Sequence, residues 1–143
     1  MGASILVHWP GATEEEEEGH PGFFNDDKAW AGWLANVMDD DEAIAVLKRL
    51  GLTDLLSHTT DGLDPDEIRW TTPDALELAA QVLKCLVEES SPEVQPLLRV
   101  YATDANGIDS LPQEFARDLG DVAEIARYAR AAGAATVTLG YYW

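Results

Sequence analysis

Cysteine, histidine and basic side chains are all scarce in this 143-residue chain. Its one cysteine, Cys85, can form no disulfide within the chain, so a disulfide scaffold is excluded and the fold must hold by packing. Cys85 falls in a helix-like apolar pattern and is expected to be a small buried hydrophobe. The three histidines, His8, His20 and His58, are far apart and show neither the H-x-x-x-H nor the H-E-x-x-H spacing of a metal-binding helix. Phosphate-binding loops of the G-x-x-x-x-G-K-[ST] and G-x-G-x-x-G kinds are missing, and so is the G-x-S-x-G turn of a serine hydrolase. Long apolar runs are missing too: no stretch approaches the roughly 20 residues of a membrane span. Residues 1–9 carry no basic stretch and only a short apolar run, unlike a secretory signal, so a cytoplasmic protein is expected.

The shortage of bases sets the largest single property. Nine Lys and Arg stand against 27 Asp and Glu, for a net charge of −18. Such a field repels nucleic acid and anionic membranes and attracts basic surfaces; it also keeps a protein soluble without any further role. The charge is uneven. Residues 14–42 hold 11 acids and one base, Lys28, a net of −10.

What is present is a globular chain. Apolar residues make up 46% of it, and its length is that of one domain, 1–143, able to bury a core. Ile5, Leu6 and Val7 form a short apolar run stopped by Pro10-Gly11, a strand signal over residues 3–9. Residues 11–26, with five consecutive glutamates and the breakers Gly19, Pro21 and Gly22, read as a mobile acidic loop. Trp30, Trp33, Leu34 and Val37 keep helical spacing over residues 27–38, and Ile44, Leu47 and Leu50 do so in the next helix, which Gly51 ends. Residues 52–70 look irregular, with a brief strand at 67–70. Thr72 as N-cap and Pro73 at the first position open the strongest helix, over 72–87, with Leu76, Ala79, Ala80, Leu83, Leu86 and Val87 inward and Val82 widening the apolar face. Val94, Leu97, Leu98 and Tyr101 continue the period, and Pro96 among them requires that the helix begin there or kink. After a loop at 103–109, Ser110 with Gln113 fits a capping box, and Gly120 either divides two helices or sits in one. Residues 135–143 are β-branched and aromatic, a second strand. The expected fold is therefore α+β: a small sheet that pairs the N- and C-terminal strands, covered by about five helices. Each terminal strand needs a partner, and neither has a local hairpin.

Two Asp-rich turns, Asp61/Asp64/Asp66 and Asp104/Asn106/Asp109, have oxygen ligands that calcium takes, but neither follows the twelve-residue EF-hand pattern, and Asx residues with Gly or Pro are ordinary turn chemistry. No catalytic, cofactor-binding or metal-binding residue can be assigned. His58 with Asp61 and the nearby hydroxyls is the one place where a dispersed hydrolytic site has a starting point. In size, acidity and lack of a motif, the chain resembles bacterial immunity proteins and other acidic inhibitors of basic toxins or nucleases. The likeness is one of composition and size, and no residue role carries over from it. The favoured reading is a non-enzymatic acidic module that docks on a basic protein partner, with no cofactor, no nucleic acid and no membrane. Its contact residues are expected among Asp39, Asp40, Asp41, Glu42, Asp61, Asp64, Asp66 and Trp70. An enzyme built around His58 and Asp61 and an accessory subunit that docks through an exposed terminal strand are the alternatives.

Overall fold

In the computed structural model the described residues are 4–18, 37, 40–59, 65–105 and 111–142. Strand β1 (Ser4–His8) is followed by α1 (Glu14–Glu18), α2 (Asp41–Leu50), β2 (His58–Thr59), α3 (Pro73–Glu88), α4 (Gln95–Ala105), α5 (Leu111–Ala131) and β3 (Thr138–Tyr142). Single 3-10 turns lie at Thr53–Leu56, Pro65–Glu67 and Pro92–Val94. The architecture is α+β: the two terminal strands pair, and five described helices pack around them.

The sheet has the order β1-β3-β2, so the last strand is the central one. β1 runs antiparallel to β3, with Val7 opposite Leu139 and Ile5 opposite Tyr141. β2 lies parallel to β3 on the other side, with His58 opposite Leu139. Just before β3, Val137 exchanges two backbone hydrogen bonds with Thr71, at 3.0 and 2.7 Å. The stretch 52–70 thus supplies a strand, but at 58–59 and not at 67–70. Residues 65–67 form a 3-10 turn instead, and only Thr71 reaches the sheet. Two residues are too short to show a period of two, so β2 leaves no pattern in the sequence.

The helices start and stop where side chains allow. Asp40 caps α2, its Oδ1 accepting from the Ala43 amide at 2.9 Å. Gly51, at φ 73°, closes that helix in the left-handed conformation that glycine adopts at least cost. Thr72 caps α3, accepting from the Ala75 amide at 3.1 Å, with Pro73 in the first turn. At its far end Ser90 takes the left-handed position, φ 57°, and donates to Val87 O, while Ser91 donates to Leu86 O. This is the bonding of a Schellman motif, with a serine in the usual glycine place. Pro96 lies in the first turn of α4, so that helix begins there without a kink. α4 continues through Ala105, so residues 103–105 are helical and not loop. α5 runs through Gly120 as one helix of 21 residues. Of the helix expected over 27–38 only Val37 is described, helical and fully buried; the rest lies outside the described residues.

The expected loop at 11–26 is helical in its described acidic part. Thr13 Oγ1 accepts from the Glu16 amide at 3.2 Å, and Glu16 Oε1 accepts from the Thr13 amide at 3.1 Å, a reciprocal capping box. Glutamates in a first turn also suit the positive end of the helix dipole. Tyr128 Oη donates to Glu16 O at 2.8 Å and ties the turn to α5. These local bonds outweigh the like-charge repulsion within the turn, where Glu14 and Glu15 are exposed to water.

The core lies between α3, α5 and the sheet. Leu76, Ala80, Leu83 and Val87 of α3 meet Leu119, Val122, Ala126 and Ala129 of α5, all buried, with Val7 and Leu139 from the sheet. Tyr101 of α4 stacks on Phe115 of α5, ring centroids 4.5 Å apart and planes 8° from parallel.

Two outcomes follow from this packing. In urea melts, Leu83→Ala should cost about 2–5 kcal/mol, the range for a fully buried leucine, and Thr72→Ala about 1 kcal/mol for the lost cap. Ser90→Gly should gain roughly 0.5–1 kcal/mol: it relieves about 1–2 kcal/mol of left-handed strain and gives back part of that in unfolded-chain entropy.

Candidate functional site

Helix α3 organises the surface as well as the core. One face is buried. On the opposite side Leu78, Val82 and Cys85 follow at i, i+4 and i+7 and are all exposed, Leu78 at 63% and Val82 at 38%. Val82 therefore does not widen the core face, and Cys85 is not a buried hydrophobe. Periodicity assigns a stripe to a helix, but which flank is covered depends on the neighbours, and nothing among the described residues packs over this one. Leu78 and Val82 line a shallow groove of about 220 Å³ whose other wall is Leu50, Gly51 and Leu52, with Asp54 beside them.

Asp54 links this groove to the next exposed apolar side chain. Its Oδ1 accepts from Thr71 Oγ1 at 2.7 Å, and the neighbouring Trp70 is 43% exposed. Trp70, Leu78 and Val82 are the large apolar side chains that the described residues expose. Exposed Asp66 and Glu67 precede Trp70 in the 3-10 turn.

The other residues expected at a partner surface are placed as follows. Asp40 is committed to its cap, Asp41 is exposed in the first turn of α2, and Glu42 forms an ion pair with Arg99 of α4. Asp39, Asp61 and Asp64 lie outside the described residues, as do His20 and most of the second Asp-rich turn. His58 is in β2, beside the central strand, and Asp61, its expected companion, lies outside the described residues. No trio of His, Cys, Asp or Glu able to hold a metal occurs among the described residues. No described helix is long and apolar enough to cross a membrane.

The seam between α3 and α5 gathers basic side chains, which sequence reading missed because they are distant in the chain. Lys84, Arg117, Arg127 and Arg130 lie along it, four of the nine Lys and Arg. Arg130 donates to Asp74 and Glu77 at 2.6 and 2.8 Å, and Arg127 donates to Glu77 at 2.8 Å. Burial alone would push the Glu77 carboxyl up, but the hydrogen bonds and charges of Arg130 and Arg127 together hold it below the usual carboxylate range. Arg117 bridges Glu114 at 2.6 Å and lies 3.7 Å from Asp118. Asp118 is itself buried and accepts from Tyr101 Oη at 2.7 Å. Burial, and then this hydrogen bond, push the Tyr101 phenol well above its ordinary value, so it stays a neutral donor.

The chain matches no protein-family model, no curated protein and no solved structure. Function must therefore be argued from surface chemistry.

The Glu77 network gives a pH test. A carboxylate whose folded value lies below its unfolded one, about 4.3, stabilises above that value and loses the effect as pH falls through the folded value. Glu77→Gln should destabilise by about 1 kcal/mol at neutral pH, and its difference from wild type should shrink in melts taken well below pH 4. Tyr101→Phe should cost about 1–3 kcal/mol, because it removes a donor from a buried carboxylate.

Proposed function

We propose that the protein is a cytoplasmic, non-enzymatic docking module that binds a basic protein partner, in the manner of an acidic inhibitor or immunity protein. The observation that carries this reading is the exposure of Trp70, Leu78 and Val82 on one stretch of chain, next to Asp54, Asp66 and Glu67. A few exposed apolar anchors within an acidic surround are what a partner with a basic rim around an apolar centre would recognise. Tryptophan is the side chain most often found at the energetic centre of such contacts. The net charge of −18 would speed the encounter over long range, with Asp39, Asp41, Asp61 and Asp64 adding to the field, and Asp40 and Glu42 already engaged in the fold. The partner class is a protein, because the same field opposes nucleic acid and anionic lipid.

The test is capture from lysate on immobilised wild-type protein and on the Trp70→Ala/Leu78→Ser double variant, with melts to confirm that both are folded. A basic protein should be retained at about 0.05 M salt and released near 0.5 M, where screening is nearly complete. The double variant should retain at least roughly tenfold less of it, as expected when anchor residues are removed. Equal retention by both proteins, or capture of no basic protein at low salt, would overturn the reading.

A further inference from the structure

The basic seam between α3 and α5 lies on a different flank of α3 from the apolar stripe, and the proposed docking does not use it. Two grooves open along it, of about 460 and 400 Å³, and both are lined by Lys84 and Arg117. The larger is of the size that holds a small organic ligand. Lys84 and Arg117 come from different helices, 33 positions apart in the chain, and converge only through the fold. Their states differ. Arg117 meets Glu114 and, more distantly, Asp118 through one guanidinium nitrogen, which leaves further N–H groups to donate. Lys84 has no hydrogen bond or ion pair among the described residues, although acids outnumber bases three to one in this chain. Its side chain lies half-buried above Gly120, where a Cβ would stand 3.6 Å from Nζ. That is ordinary contact distance, so the ammonium lies directly against α5.

The rest of the larger groove is apolar and hydrogen-bonding. Val87, Ala116 and Pro112 give it apolar wall, and Ser90 and Gln113 give neutral polar groups. Ser90 is the residue held left-handed at the end of α3, a place where glycine would be less strained. A serine therefore stands at the groove at a cost to the fold. Glu88 also lines this groove, and Asp121 and Glu124 line the other. With those carboxylates near and a net charge of −18, a dianion or polyanion is opposed, whereas one negative charge between an ammonium and a guanidinium is favoured. We infer that the groove between α3 and α5 binds a small organic monoanion, a carboxylate on an apolar body, with the carboxylate between Lys84 and Arg117 and the body against Val87, Ala116 and Pro112.

The probe is octanoate, with acetate, inorganic phosphate and octanamide as comparisons, titrated into ¹⁵N-labelled full-length protein and followed by amide shifts. Octanoate should shift the amides of Lys84, Val87, Ser90, Gln113 and Ala116 in a saturable way. Acetate lacks the body, octanamide lacks the charge and phosphate has too much of it, so each should bind at least tenfold more weakly. Lys84→Gln should weaken octanoate at least tenfold with an unchanged melting temperature, since Lys84 has no bond to lose among the described residues. Arg117→Gln should do the same, and its loss of the Glu114 contact is controlled by Glu114→Gln, which should retain binding. Binding of phosphate as tight as octanoate, shifts centred on Leu78 and Val82, or full binding by Lys84→Gln would each overturn the assignment.

Discussion

The backbone of residues 137–142 meets three separate parts of the chain. β1 arrives from the amino terminus and pairs along five residues, β2 lies on the other side, and Thr71 closes a bridge at Val137. Each of these segments is too short to form a sheet alone, and a strand with unpaired buried amides is costly. β3 is thus the shared partner that lets three weak strands become one sheet. The first and last strands are more than 120 positions apart. Closing so long a connection costs little more than closing one of half the length, because loop entropy grows only with the logarithm of length. The cost appears in kinetics instead: contacts this distant in sequence are slow to find. The terminal strand has neighbours on both sides along part of its length, so it is not a free edge on which another sheet could easily extend.

What the sheet fixes, the helix pair α3 and α5 completes. Thr138 Oγ1 donates to Arg69 O at 2.8 Å, and Thr71 Oγ1 to Asp54, so the segment that enters α3 is clamped to the sheet before the helix begins. The cap at Thr72 follows directly. Its position sets the rotation of α3, and with it which side chains face α5, which face α2 and which face water. Trp9 meets Tyr128 edge to face, ring centroids 6.3 Å apart, and Tyr128 in turn holds α1. The acidic turn is therefore joined to the body of the protein through the Glu16 carbonyl and an aromatic residue of α5.

Much of this was legible because it is written in local chemistry. The caps at Asp40 and Thr72 and the stop at Gly51 are single-residue signals, and the buried stripe of α3 keeps a helical period for three turns. The terminal pairing followed from elimination, since only two segments had strong strand character. The misses have equally specific causes. Thr13 and Glu16 are a capping box plainly present in the sequence, and the glutamate run obscured it. β2 is too short to be periodic. Val82 and Cys85 are apolar residues on a helical pattern, and a pattern cannot say how wide a face the neighbours cover. For the same reason Trp70 could be picked out as a surface candidate and Leu78 could not. The basic seam was hidden because Lys84 and Arg117 become neighbours only when two helices pack.

The placement of charge connects these observations. In a chain with three acids for each base, Arg99, Arg127 and Arg130 form four ion pairs that each join two helices, and a fifth pair, Arg117 with Glu114, lies within α5. Bases are used where elements meet, and surplus acids are left outward at positions such as Asp41, Asp66, Glu67 and Glu93. Exposed pairs of this kind contribute little stability one by one. Their greater effect is on the field: neutralising acids at the seams removes repulsion from the interior and leaves the outer surface as the main source of negative potential. Lys84 differs from the three arginines of the same seam in having no acid bonded to it among the described residues. Leu78 and Val82 are apolar groups on a surface otherwise given to charge. Neither place is accounted for by the ion pairs and buried contacts that join α3 to α5.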